Sequence, residues 1–353
     1  MSRFFSAKFS ELTPYTPGEQ PKGGAFVKLN TNESPFPPSP KALEEGKKAL
    51  ALSNLYPDPE CTALKAEAAK VFGVKPSEIV VGNGSDEILN FAFMAFCDRI
   101  TPAVFADVTY GFYKVFAAVN GIPYKEIPLR EDFSLDVTDY INEKGTIFIA
   151  NPNAPTGIAI PASKIETLLQ SDPNRVVVVD EAYVDFGGES CIPLIKKYDN
   201  LLVTMTFSKS RSMAGSRLGM GIGNENLIKD LQTLRYSNNP YNVNRVTESM
   251  GIGVLKDEEY TKKNCETIIK NREYTVSELK KMGFTTLDSK ANFIFVKSDR
   301  IGGEALYKEA KKRGVLIRHF STDRLKDYNR VSIGSTEQME AFLKTVRNIL
   351  EEQ

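Results

Sequence analysis

The sequence predicts an α/β fold. It has a large domain built on a mostly parallel sheet covered by helices, a smaller α+β C-terminal domain, and an extended N-terminal arm. Three observations predict it. Short, strongly apolar runs recur along the chain: Ile79–Gly82, Ala103–Ala106, Thr146–Ala150, Val176–Val179 and Leu201–Met205. Strands this apolar belong to sheets buried on both faces. Helical stretches separate them, as in parallel strands joined by crossovers. The alternation stops near residue 242, where a mostly helical, charged stretch runs to Met282 before strands resume. The boundaries that follow are residues 1–27 for the arm, 28–255 for the large domain and 256–353 for the small one.

Residues 1–27 are rich in proline and glycine and lack helical periodicity, which predicts an extended segment. Ser39-Pro40 starts a helix to about Leu52, with proline in its first turn. Cys61 to Phe72 is a second helix, stopped by Gly73. The strand Ile79–Gly82 leads through Asn83-Gly84-Ser85 into an apolar helix ending at Phe96. Tyr110–Asn120 and Pro161–Leu169 read as helices, and Pro123–Ile127 as extended chain. In the last third, Phe293–Val296, Val315–Ile317 and Val331–Ile333 read as strands around a helix at Gly302–Arg313, and Glu337–Leu350 as a final amphipathic helix. In open sheets of this kind, ligands bind outside the carboxyl ends of the strands. Gly84, Asn151, Asp180 and Lys209 each follow a strand directly, which places them on that edge.

Composition removes several classes of function. Lys and Arg number 45, as do Asp and Glu. The zero formal net charge argues against general attraction to nucleic acid or anionic membrane. No apolar run has the length of a membrane span, and Met1-Ser2-Arg3-Phe4-Phe5-Ser6 lacks the features of a signal peptide. Cys61, Cys97, Cys191 and Cys265 form no CxxC pair and read as reduced thiols of a cytoplasmic protein. His319 is the single histidine. A His-rich zinc site is thereby excluded, and no metal is expected. A structural or surface role is expected for His319, so a proton shuttle falls to a lysine.

Lys209 is the candidate. It stands in Thr206-Phe207-Ser208-Lys209-Ser210, just past a strand, and Arg217 follows in Gly215-Ser216-Arg217-Leu218-Gly219. Asp180 ends another strand in Asp180-Glu181-Ala182-Tyr183. A lysine able to form a Schiff base, hydroxyls and an arginine for a phosphate, and an acid for a ring nitrogen are the parts that hold pyridoxal phosphate. Met205 and Phe207 imply partial burial of Lys209, which lowers an amine's pKa and frees it to react. Gly84-Ser85-Asp86 opens a helix whose free N–H groups suit an anion. Singly these signals are weak: Asp180 is also a good helix cap, and Gly-Ser-Asp an ordinary helix start.

Together with Asn151-Pro152-Asn153-Ala154-Pro155-Thr156-Gly157, the motifs resemble those of fold-type-I pyridoxal-phosphate aminotransferases, and within them the histidinol-phosphate aminotransferases. The resemblance runs from Leu12-Thr13-Pro14-Tyr15 to Arg330-Val331-Ser332-Ile333-Gly334. It implies that Lys209 bonds the cofactor, that Asp180 pairs with the pyridine nitrogen and that Tyr183 donates to the ring 3′-oxygen. It places Gly84, Ser85, Asp86, Thr206, Ser208 and Arg217 around the phosphate and stacks Tyr110 on the ring. Tyr56, in Asn54-Leu55-Tyr56-Pro57, is implied to reach the phosphate of a neighbouring subunit. Arg330 and Arg318 would hold the substrate's carboxylate or phosphate, and Tyr15 would be a lid donated across a homodimer with shared active sites.

The implied reaction exchanges an amino group between a small-molecule donor and a 2-oxo acid acceptor. Histidinol phosphate and 2-oxoglutarate are the expected pair. An aromatic amino acid aminotransferase, a threonine-phosphate decarboxylase and a non-catalytic pyridoxal-phosphate-binding paralogue remain alternatives at this stage. One position departs from the family pattern. Ala154 stands where an asparagine usually donates to the ring 3′-oxygen, leaving Asn151 or Asn153 as candidate substitutes.

Overall fold

The expected strands between residues 79 and 206 form one sheet in the computed structural model, which describes residues 2–10, 12–20 and 26–352. Met1, Glu11 and residues 21–25 of the expected arm lie outside the described residues. In chain order the first eight strands are β1 (Val27–Lys28), β2 (Ile79–Gly82), β3 (Ala103–Ala106), β4 (Tyr124–Ile127), β5 (Thr146–Ala150), β6 (Val177–Asp180), β7 (Leu201–Thr206) and β8 (Gly219–Gly223). Seven of them make the large sheet, in the order β2-β8-β7-β6-β5-β3-β4. β8 alone runs against the direction of the other six.

Seven helices accompany this sheet: α1 (Pro40–Leu50), α2 (Thr62–Phe72), α3 (Ser85–Phe96), α4 (Phe112–Asn120), α5 (Ala162–Ser171), α6 (Glu225–Asn238) and α7 (Arg245–Leu255). Alternate strand residues feed two cores, as the two-residue period of a strand requires. Val177, Val179, Leu201 and Val203 pack with Leu64 and Ala68 of α2 and Ile165 and Leu168 of α5. Val178 and Leu202 point the other way, onto Ile88 and Phe91 of α3, Tyr113 and Phe116 of α4, and Ile228 and Leu231 of α6. The sheet is therefore covered on both faces.

β8 and α6 add to the elements expected from the sequence. Gly219-Met220-Gly221-Ile222-Gly223 has no side chain at every second position, so its alternation is invisible as a hydrophobic pattern. The glycines are required by packing: a Cβ on Gly219 would stand 2.2 Å from the Ser85 nitrogen. β8 can thus lie directly beside the start of α3.

The second unit holds α8 (Glu258–Lys281), β9 (Phe284–Thr286), β10 (Phe293–Ser298), α9 (Gly303–Lys312), β11 (Val315–Leu316), β12 (Arg318–His319), β13 (Asn329–Ser332) and α10 (Thr336–Glu351). Its sheet is antiparallel, in the order β12-β13-β10-β9. The expected strand Val315–Ile317 is two short strands here, because β11 leaves this sheet to pair in parallel with β1. Leu29, just past β1, is buried in the core beneath this second sheet with Ile294, Val331 and Phe342. The chain ahead of α1 is thereby stitched to the C-terminal unit. Residues 12–20 of the arm carry no helix or strand. Asn30 Nδ2 donates to the Glu19 carbonyl (2.8 Å), and Glu19 also meets Lys311 (2.8 Å) and the Tyr307 hydroxyl (3.1 Å).

Candidate active site

The carboxyl ends of β2, β3, β5, β6 and β7 open into a cavity of about 740 Å³, lined on the far side by the arm and by the loop joining β12 to β13. Ser85, Asp86, Tyr110, Asp180, Tyr183, Thr206, Ser208, Lys209, Arg217, Arg318, Arg330 and Tyr15 all line it. Gly84 sits immediately behind Arg217. Of the predicted site residues, Tyr56 alone is elsewhere. It is 76% exposed and stacks on Tyr241 with ring centroids 4.5 Å apart. There it helps line a second cavity, of about 520 Å³, with Arg245.

Asp180 ends β6 on the cavity floor and is 5% exposed. Its carboxylate accepts from Thr204 Oγ1 (3.1 Å) and from Tyr113 Oη (3.4 Å). Burial, with the nearby charge of Asp86, pushes its pKa up to about 7. Among the described residues no basic side chain is a hydrogen-bond or ion-pair partner of this carboxylate, so a buried acid faces a cavity that can supply a cationic N–H. Lys209 follows β7. Its Nζ donates to the Thr31 carbonyl (3.3 Å) and stands 5.9 Å from the Tyr183 ring centroid. Burial first, then the charge of Arg330, lowers its pKa to about 8. An amine with that pKa is neutral in a sizeable fraction at physiological pH, which nucleophilic attack requires.

The phosphate end is a cradle. α3 begins at Gly84 with no side-chain cap, so its first N–H groups face outward. Gly84 has φ +83, and a Cβ there would sit 2.6 Å from Arg217 Nη2. Glycine therefore leaves room for the guanidinium to lie over the helix start. Arg217 holds Asp86 (3.1 Å), and its other nitrogen donates to Ser208 Oγ (3.4 Å). Helix N–H groups, a guanidinium and the hydroxyls of Thr206 and Ser208 converge there, a donor set suited to a phosphate. Tyr110 Oη donates to Asp86 Oδ1 (2.8 Å), which fixes its ring as one wall.

Opposite Lys209, the small sheet presents two arginines. Arg318 and Arg330 are register partners on β12 and β13. Arg330 Nη2 donates to the Asn30 carbonyl (3.1 Å), while its Nε is buried without a partner among the described residues. Burial lowers its pKa from the usual guanidine value. Among the described residues, Arg318 makes only long bonds, to the carbonyls of Thr16 (3.3 Å) and Pro17 (3.4 Å). Two like charges placed directly opposite on a ladder repel, and an anion between them removes the repulsion.

These features meet the demands of pyridoxal 5′-phosphate: a free amine, a buried carboxylate with no cation, a phosphate cradle and a paired anion site. The comparisons with known proteins agree. A profile of the aminotransferase class I and II family matches residues 25–346. The chain belongs to that family. This aminotransferase depends on pyridoxal 5′-phosphate. It is 47% identical over 356 residues to the histidinol-phosphate aminotransferase of Brachyspira hyodysenteriae, covering 99% of each chain. Among solved structures it resembles the histidinol-phosphate aminotransferase of Clostridium acetobutylicum, with TM-score 0.85, 25% identity, and 92% of this chain and 99% of that one covered. A Sinorhizobium meliloti histidinol-phosphate aminotransferase, in complex with pyridoxal-5′-phosphate, superposes with TM-score 0.84 at 23% identity, covering 92% and 91%.

The structure bears on three further expectations. Tyr15 lies over its own chain's pocket and packs on Phe112, with ring centroids 4.3 Å apart. Within the chain, the bonds of Arg318 and Glu19 to and from the arm hold it there. The aminotransferase does not replace the missing asparagine at 154 with either neighbour. Asn151 exchanges both amide bonds with the Ile160 backbone (2.9 Å each). Asn153 is spent on Val108, Thr156 and Thr109. His319 is bound to the Lys326 carbonyl (2.8 Å) and lies near Tyr307, outside the cavity lining.

Asn30, Thr31 and Asn32 were missed. Successive residues of this stretch touch Arg330, Lys209 and Tyr183, the last through Asn32 Nδ2 (3.1 Å). In the sequence, Leu29-Asn30-Thr31-Asn32 carries only turn chemistry. Its partners are far away along the chain, so no local pattern reports them.

Proposed function

We propose that the chain transfers the amino group of histidinol phosphate to 2-oxoglutarate, giving imidazole acetol phosphate and glutamate, a step of histidine biosynthesis. The observation that carries this reading is the opposed pair Arg318 and Arg330, with a buried and partnerless Nε on Arg330. One substrate must be held by a carboxylate and the other by a phosphate monoester at the same place. Guanidinium forks bind either anion bidentately. Relatives about half identical over their full length carry the same substrate in their names.

Pyridoxal phosphate, when bound, supplies an aldehyde for amine exchange and an electron sink for the electron pair of the substrate Cα–H bond. The chain's own residues do the rest. Arg217, the start of α3 and the hydroxyls of Thr206 and Ser208 bind the cofactor phosphate. Asp180 keeps the ring nitrogen protonated, and Tyr183 donates to the ring 3′-oxygen. Arg330 and Arg318 fix the substrate's anionic end, which leaves Cα facing Lys209. With the cofactor bound, the neutral Lys209 amine would take the proton from the substrate Cα and pass it to the cofactor C4′ carbon. The arm, with Tyr15, narrows the mouth and limits water.

The same proposal includes a homodimer acting in the cytoplasm. Tyr56 stands on a surface where Leu50, Leu52 and Leu55 are 59%, 47% and 55% exposed, and a second copy of the chain is the occupant that would bring Tyr56 to a neighbouring phosphate site. Sedimentation should give a dimer, and Tyr56→Phe should weaken cofactor affinity; a fully active monomer rejects this part. Residues 28–255 and 256–353 are taken as the two domains, with the segment around β1 crossing between them. The decisive assay compares turnover of histidinol phosphate with that of phenylalanine and threonine phosphate. Preference for phenylalanine, or carbon dioxide release from threonine phosphate, overturns the substrate assignment.

A further inference from the structure

We infer that Asn32 is a positioning residue for Tyr183, aiming the phenol proton into the cofactor pocket. The inference rests on the reading of Tyr183 as a donor to the cofactor. Asn32 is 1% exposed, and its Nδ2 donates to Tyr183 Oη at 3.1 Å. The orientation of its amide is set from the other side. The Ser332 hydroxyl accepts from the Asn32 backbone N–H (2.8 Å) and gives its single proton to Asn32 Oδ1 (2.9 Å). With Oδ1 engaged, the NH₂ group is the part left to face Tyr183. The backbone is held as well: Asn292 Nδ2 donates to the Asn32 carbonyl (3.0 Å). Residue 32 has φ +55, a left-handed conformation that asparagine tolerates better than most side chains.

A phenol oxygen has one proton to give and lone pairs to receive with. Once Asn32 fills a lone pair, the proton must point elsewhere. Its apolar packing neighbours include Ala154, Ala291 and Phe293, the last edge-on at 5.0 Å, whose side chains offer no acceptor, and the ring also packs on the apolar core beneath the small sheet. The remaining direction is the cavity that Tyr183 shares with Lys209. Were a carbonyl presented in place of the amide NH₂, it would draw that proton away from the pocket.

The test is the pH titration of the bound cofactor's absorbance in the loaded protein. A donor to the ring 3′-oxygen stabilises its charged form, so losing the donor raises the midpoint. Asn32→Gly removes the amide, adds no charge and keeps the left-handed backbone. The midpoint should rise, by less than it does in Tyr183→Phe, and Asn32→Gly should add no shift in the Tyr183→Phe protein. No shift in the Tyr183 protein, or an equal shift in both backgrounds, overturns the inference. If Tyr183→Phe itself leaves the midpoint unchanged, the reading of Tyr183 fails and takes this inference with it. Should Asn32→Gly not fold, Asn32→Asp serves as the nearly isosteric alternative. It reverses the contact by accepting the phenol proton. Its charge acts in both backgrounds, so the upward shift should be larger with Tyr183 present than with Tyr183→Phe; equal shifts overturn the inference.

Discussion

The two walls of the active-site cavity are built differently. The cofactor wall is the edge of the seven-stranded sheet: Asp180 is the last residue of β6, Lys209 stands three residues past the end of β7, and Arg217 lies on the start of α3. Its residues are fixed by buried strands; Asp180 and Arg217 bond to neighbours on the same wall, while Lys209 and Tyr183 reach across to Thr31 and Asn32. The substrate wall is assembled from the arm, the stretch Asn30–Asn32 and the edge of a small antiparallel sheet. Its outer contacts are exposed and some are long, as between Arg318 and Thr16 or Pro17, while Asn30, Asn32 and the Arg330 Nε behind them are buried. The contrast suits a reaction in two halves. The cofactor stays through both halves and needs a rigid seat, while two substrates of different shape exchange on the other side. A wall held by weak bonds can admit both.

The contrast is sharpest at Lys209, where the largest loss is expected. Lys209→Ala should lower kcat by more than about 10³-fold, since it removes both the bonding amine and the proton carrier. Cofactor retention should suffer far less, because Asp180 and the phosphate cradle remain. Borohydride reduction and peptide mapping should label residue 209 in the parent protein only. A variant that keeps substantial turnover would move the chemistry to another residue. On the other wall, Arg330→Ala should raise KM for donor and acceptor alike, by roughly 100-fold for a charged, bidentate contact. Arg330→Lys should recover little, because an ammonium lacks the fork. An unchanged KM in either variant makes the arginine a bystander.

The two walls also differ in how far the sequence revealed them. Lys209, Asp180 and the Gly84 turn each follow an apolar run, so pattern and motif coincided. The strands β2, β3, β5, β6 and β7 were legible for the same reason: four to six consecutive buried residues leave little choice of element. β8 was not, because its glycines erase the pattern that identifies a strand. Asn32 was not, because its role lies in Tyr183 and Ser332, which only folding brings near. The arginines Arg318 and Arg330 were visible through resemblance to the family, but their opposition on a ladder was not. Tyr15 was recognised only through resemblance to the family, since nothing local says which pocket an arm covers.

The buried carboxyl of Asp180 gives the rigid wall a pH signature. Burial first, and Asp86 second, raise its pKa to about 7. The folded protein therefore binds more protons than the unfolded chain between about pH 4 and 7. That stabilising contribution is complete below the unfolded carboxyl's pKa and is lost as pH rises through the folded value. Cofactor-free protein should thus melt at progressively lower temperature from about pH 4 to 7. Asp180→Asn should flatten the slope without removing it, because Glu181, also raised to about 7 by burial, titrates in the same window. A slope unaltered by the substitution would show that Asp180 is not the buried acid.

The smallest effect is expected on the substrate wall, at the clasp of the arm. Glu19 meets Lys311 and Tyr307 at the surface, and Asn30 holds the backbone carbonyl of the same residue. An exposed ion pair contributes up to about 1 kcal/mol, and Glu19→Gln keeps the shape while removing the charge. KM should rise by no more than about fivefold with kcat unchanged, and the rise should shrink at high salt as screening weakens the native pair. Asn30→Ala also frees the Glu19 carbonyl, so it should loosen the arm further than Glu19→Gln does. If both variants lowered kcat at constant KM, the arm would be shaping the chemical step, and the division between a rigid cofactor wall and an exchangeable substrate wall would not hold.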